Sequence, residues 1–206
     1  MKTIFTLFLT ITIGLVGCNS KKSSTDQPVK DSLTVAKPLE NEPAIIQEQP
    51  QPDSTKGSIH SQAVGKSGNT EIKIDYYSPA VRGRIIWGGL VPFDKVWVTG
   101  AHSATSIEFN TDLTIGDKII PAGKYAFFTI PGKEEWTIIL NKNWKQHLTD
   151  QYDEKEDVVR VKVKPETEEV NQERLRYLVE SESESSGEIV VYWEKLEVSL
   201  PVKIRI

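Results

Sequence analysis

The chain has 206 residues, 38% of them hydrophobic, which is enough for one sizeable core, so a single folded domain is the default expectation. A formal charge of -4 supplies no global positive field to gather phosphates and argues against a nucleic-acid partner. The single cysteine excludes an intramolecular disulfide and any multi-cysteine metal site.

Residues 1–18 read MKTIFTLFLTITIGLVGC, with a positive charge at Lys2, an apolar run over 4–16 and then small residues. That is the layout of a secretory signal, too short for a stable transmembrane span. The last four, Leu15-Val16-Gly17-Cys18, resemble the bacterial lipobox, in which the cysteine is lipidated and becomes the mature N-terminus. The resemblance implies a signal peptide over 1–17 and a lipid anchor at Cys18, so that the membrane is a partner. The other reading is an ordinary signal peptide with a buried thiol. Asn19-Ser20-Lys21-Lys22 follows, without aspartate or an acidic run. By resemblance to lipoprotein sorting signals, this implies an outer-membrane lipoprotein facing the periplasm.

From residue 18 to residue 56 the composition shifts to Lys, Ser, Gln, Glu and Pro, with Pro28, Pro38, Pro43, Pro50 and Pro52 breaking any period. Such a segment buries too little apolar surface to offset its ordering entropy and is expected to be a disordered tether. Ile45-Ile46 is its one apolar pair, either a short docking motif or incidental.

Over 57–206 the pattern becomes short alternating runs separated by turn residues. It predicts an all-β domain, an antiparallel β-sandwich of jelly-roll or immunoglobulin-like type with at most one short helix. The first hairpin is expected over 58–64 and 71–77, with Ile72, Ile74 and Tyr76 on one face. Further strands are expected over 96–99 and 105–109, with a ribbon over 113–120 turning at Gly116-Asp117. Proline and glycine corners then set off strands at 125–130 and 135–140. One or two helical turns are expected over 143–150, and strands at 158–163, 173–179 and 188–193. The last strand, 196–206, alternates cleanly apart from Pro201, which implies a sheet edge or a bulge because proline cannot donate to a ladder.

Two blocks, SPAVRGRIIWGGLVPFDKVWVTGAHSATSIEF and LTIGDKIIPAGKYAFFTIPGKEEWTIILNKNW, carry a resemblance to the bacterial family known as domain of unknown function 2911. It covers roughly 59–206 and implies a secreted or envelope β-rich domain with no established activity. The chain departs from the family pattern at three positions. Val98 stands where the family has arginine, His102 where it has asparagine and Ser103 where it has an acidic residue.

The residues that carry chemistry are few. His60, His102 and His147 are not paired at metal-ligand spacing, so no metal site is expected. Gly65-Lys66-Ser67 is like the end of a phosphate-binding loop, but His60 stands where the first glycine would fall and no helix pattern follows. The acidic run Asp150, Asp153, Glu154, Glu156 and Asp157 lacks calcium-loop spacing and reads as a solvated loop. Arg82 and Arg84 flank Gly83 and are placed either to clamp an anion or to bond turn carbonyls. Among the aromatics, Trp87 is the one expected at the surface, where it would form a platform for a sugar.

The expected function is therefore a non-catalytic binding or structural module, without cofactor. Its candidate binding residues are Arg82, Arg84, Trp87, Thr99, His102 and Thr105, presented to an envelope glycan, a lipid headgroup or a protein. The alternative is a periplasmic hydrolase using His102 with a carboxylate partner, although no nucleophile elbow surrounds any serine.

Overall fold

A computed structural model describes residues 55–204, all within one compact unit, Pro38–Ile206. The signal segment, Cys18, Ile45-Ile46 and most of the expected tether lie outside the described residues. Ten strands build two antiparallel sheets. Six form the larger sheet, in the order β1 (Ile59–Ser67), β2 (Thr70–Ser78), β3 (Ser106–Phe109), β6 (Gly123–Ile130), β7 (Trp136–Asn141) and β8 (Asp157–Val163). The smaller sheet runs β5 (Lys118–Ile120), β4 (Leu113–Ile115), β10 (Ser186–Ile204), β9 (Glu166–Ser183). The larger sheet is a meander with one excursion, the β4–β5 ribbon, which crosses to the other sheet between β3 and β6.

The period-2 pattern explains the core directly. In β2, Ile72, Ile74 and Tyr76 are buried while Glu71, Lys73 and Asp75 face outward, as alternation requires. The same rule turns Ile189, Val191 and Trp193 of β10 inward with Leu175, Tyr177 and Val179 of β9. Each such side chain contributes about 1.5–3 kcal/mol by leaving water. The two sheets also meet along β1 and β9. A Cβ on Gly65 would lie 2.5 Å from Val179 Cβ, so β1 approaches β9 more closely than any side chain allows. Ser67 Oγ donates to the Ser183 carbonyl at 2.6 Å, and Ser78 Oγ to that of Leu175 at 2.6 Å.

Three expectations need correction. Residues 96–99 form no strand: Trp97 makes a lone bridge to Thr129, because Thr99 turns left-handed at φ 50° and ends the extension. Residues 143–150 form no helical turn. Asn141 Oδ1 accepts from Asn143 N–H, Gln146 Nε2 donates to the Asn143 carbonyl, and Leu148 is left-handed at φ 46°. Side-chain amides thus satisfy backbone groups that a helix would have used. The expected strands at 188–193 and 196–206 are one strand through 204, with register shifts around Glu194, which takes φ 58°. Of the two readings made for that strand, edge or bulge, the second holds: β10 lies between β4 and β9 and carries these register shifts. Pro201 falls where neither ladder asks for its N–H: pairing with β9 ends at Glu197 and pairing with β4 begins at Val202.

Candidate functional site

Between β2 and β3 the chain spends residues 79–105 without a strand, a length that in a compact domain calls for its own anchoring. The anchors are backbone pairs. Val81 N–H donates to the Glu173 carbonyl at 2.7 Å, Trp97 and Thr129 exchange two bonds at 2.8 and 3.0 Å, and Ala104 N–H donates to the Gln146 carbonyl at 3.0 Å. Inside the loop, residues 85–91 fold back on themselves, with Leu90 N–H on the Ile85 carbonyl and Val91 N–H on that of Ile86. Gly88 and Gly89 make this possible: a Cβ would come within 2.8 Å of the Phe93 ring at the first and 2.4 Å of the Ile85 carbonyl at the second. The turn hides Ile86 and Val91 and leaves Ile85 78% exposed and Leu90 46% exposed.

This fold-back also moves Trp87. Expected at the surface as a sugar platform, it is half-buried and packs against Trp136 at 4.9 Å, Trp193 at 5.8 Å and Trp97 at 5.9 Å between ring centroids. All three pairings are edge-on, the preferred geometry for aromatic quadrupoles. A turn that pulls its flanking apolar residues inward takes the indole with them. The expectation failed because the two glycines signal a turn but not which way it folds.

Beside this cluster, at one end of the sandwich, lies a cavity of about 690 Å³. Arg82, Arg84 and His102 line it on the polar side, with Trp97, Trp193 and Leu90 among its apolar residues. Three of the candidate residues thus meet at one place. Thr99 and Thr105 do not open on it. Both are fully buried, and they brace the wall: Thr105 Oγ1 donates to the Thr99 carbonyl at 3.1 Å, and Thr99 and Thr129 hydroxyls meet at 2.9 Å. From the opposite sheet, Tyr177 Oη donates to the same Thr99 carbonyl at 2.8 Å. Burial pushes the Tyr177 phenol well above its ordinary range, so it stays a donor.

The arginines divide their donors between loop and cavity. Arg84 Nε donates to the Val81 carbonyl at 3.1 Å and Nη2 to that of Ala80, which is the turn-carbonyl reading of this residue. These bonds fix the guanidinium, while Nη1 has no protein partner among the described residues. Arg82 Nη2 donates to the Thr55 carbonyl, and Arg82 N–H to Glu173 Oε1 at 2.8 Å. His102 is exposed and stands edge-on to Tyr77 at 5.1 Å, whose other side stacks on His60 at 4.9 Å.

No carboxylate pairs with the His102 imidazole among the described residues. The histidine–carboxylate pairs are His60 with Asp75 at 2.9 Å and His147 with Asp150 at 3.0 Å. The hydrolase alternative therefore lacks the geometry it required. Among the described residues no group of three or more His, Cys, Asp or Glu is placed to hold a metal ion. The acidic run is occupied otherwise. Asp157 accepts from Asn141 Nδ2 at 2.7 Å, Tyr152 Oη at 2.8 Å and Arg160 Nε at 2.7 Å. Asp153 caps the short 3-10 turn Glu154–Glu156 by accepting from Lys155 N–H.

Backbone strain marks the same region. Six described non-glycine residues have left-handed φ. Arg82 at 50°, His102 at 60° and Leu148 at 46° line the cavity, and Asp94 and Thr99 lie in the loop that walls it. Such conformations cost about 1–3 kcal/mol each and gather at sites where surrounding structure imposes a shape. Sequence reasoning missed Leu148 and Trp193, which come from distant segments and carry no local signal.

Fold and cavity together define a two-sheet antiparallel β-sandwich with a loop-walled pocket at one end. The chain belongs to the family described as protein of unknown function (DUF2911), whose family model matches residues 58–202. No curated protein matches the chain, and no solved structure does. Val98 and His102 both line the cavity.

Proposed function

We propose that this chain is a lipid-anchored protein of the bacterial cell envelope, held at Cys18, whose sandwich is a non-catalytic binding module with the end cavity as its binding site. The observation that carries the binding role is the cavity itself. Its volume of about 690 Å³ is in the range of small-molecule sites, it is mostly apolar with a few convergent polar groups, and it is walled by the family signature stretch. The left-handed residues on its wall support the same reading, since a merely connecting loop has no use for them. The anchor rests on the lipobox resemblance at residues 15–18. With it go the outer-membrane location and the periplasmic orientation.

Residues 38–206 contain both sheets and both apolar clusters and so carry a complete core. Immobilised, this fragment is expected to retain a component of solubilised envelope, and Leu148→Arg, which fills the cavity from its rim, is expected to abolish retention. Equal retention by the folded variant would place binding outside the cavity.

A further inference from the structure

Among the described residues, every fixed charge on the cavity wall has one sign. Arg82 and Arg84 line it, and no Asp or Glu does so among the described residues, in a chain whose formal charge is -4. Glu173 is not among the lining residues; its Oε1 accepts from the Arg82 backbone N–H at 2.8 Å. The rest of the wall is predominantly apolar, and it continues outward: Leu90 and Leu148, 46% and 40% exposed, line the cavity, and Ile85 stands on the same turn as Leu90. A cation pair beside an apolar slot suits neither a neutral glycan, which needs many polar partners, nor a bare inorganic anion, which has no use for the slot.

We infer that the cavity takes an amphipathic anion, a carboxylate or phosphate monoester head carried on an apolar body. The head sits against Arg82 and Arg84, and the body runs along Trp97, Trp193 and Leu90. This deepens the cavity reading above and rests on it. The geometry at Arg84 is the main support. Its guanidinium is already oriented by the Ala80 and Val81 carbonyls, so its remaining N–H groups meet an anion without the ordering cost of a free side chain. The indoles supply a large, rigid apolar surface. Selection then comes from the pairing of head charge with body, because either alone leaves half of the site unmatched.

The test titrates residues 38–206 with dodecyl phosphate, dodecanoate, dodecanol, dodecyltrimethylammonium and inorganic phosphate, below micelle formation. Tryptophan fluorescence and calorimetry read binding. One dodecyl phosphate or dodecanoate per chain is expected, at least tenfold tighter than the alcohol, the cationic amphiphile or inorganic phosphate; comparing the two acids identifies the head. Arg82→Gln/Arg84→Gln is expected to weaken both acids at least tenfold and leave the alcohol unchanged. Equal binding of anionic and cationic amphiphiles overturns the head assignment. Inorganic phosphate binding as tightly as dodecyl phosphate overturns the apolar body. No amphiphile binding to a folded chain overturns the anion inference, and retention of envelope material blocked by Leu148→Arg then still upholds the cavity, whereas its absence sinks both. Should the double variant not fold, the head comparison on the unmodified protein decides alone.

Discussion

Thr99 is held at φ 50°, a conformation that costs a β-branched residue about 1–2 kcal/mol or more, and four hydrogen bonds hold it there through its hydroxyl and carbonyl. Thr99→Ala keeps the strain and loses the hydroxyl, and should lower stability by about 1–2 kcal/mol in urea unfolding. Thr99→Gly loses the same hydroxyl but relieves the strain, so it should be the milder of the two, the reverse of the usual order for glycine and alanine. Alanine proving milder would mean that the loop does not impose this conformation. A second residue-scale consequence concerns alkali. Burial raises the Tyr76 phenol from 10.0 to about 12. The folded chain therefore keeps a proton that the unfolded chain releases, so this contribution to stability is fully present below pH 10.0 and is lost as the pH rises to about 12. Urea midpoints measured over that window should fall, and Tyr76→Phe should flatten the fall; an unchanged slope would assign it to other groups.

At the scale of elements, β1 approaches β9 too closely for a side chain at Gly65. A methyl on Gly65 would meet Val179 Cβ at 2.5 Å and the Val179 carbonyl oxygen at 2.7 Å. Gly65→Ala should cost about 1–3 kcal/mol, the range for overpacking. Adding Val179→Ala removes the Cγ1 contact at 2.6 Å but leaves both the Cβ and the carbonyl, so the double variant should not recover the lost stability in thermal unfolding. Full recovery would show that the side chain alone sets the spacing. The fold-back of residues 85–91 is the other element that matters, because it decides which apolar residues form core and which form rim. Its hairpin-like bonding was hidden in the sequence, where Ile85, Ile86, Leu90 and Val91 look equivalent. Two end up buried and two exposed through backbone bonds that composition does not report.

For the whole molecule, attachment and folding are expected to be separable, since both sheets lie within residues 59–204. Cys18→Ser should abolish incorporation of labelled palmitate and move the protein out of the membrane fraction, while residues 38–206 keep the same thermal midpoint. Label retained by Cys18→Ser would remove the proposed anchor. The cavity is also a property of the whole molecule. Its wall draws on the chain before β1, the loop after β2, the segment around Leu148 and Trp193 of β10, so no single stretch contains it.

By itself the sequence determined which residues alternate, and that was enough for an all-β sandwich, the first hairpin with its inward Ile72, Ile74 and Tyr76, and the β4–β5 ribbon. Those features are local: a period of two and a turn residue are read within ten positions. It also singled out Arg82, Arg84 and His102, because charged residues among turn glycines and small residues stand out. The tertiary structure alone decided that these three share a cavity, that Trp87 belongs to a four-indole cluster, and that Thr99 and Thr105 are braces rather than contacts. Each of those depends on partners from distant segments, Trp136, Thr129, Tyr177 and Trp193, and contacts at that separation leave no periodic trace in the chain.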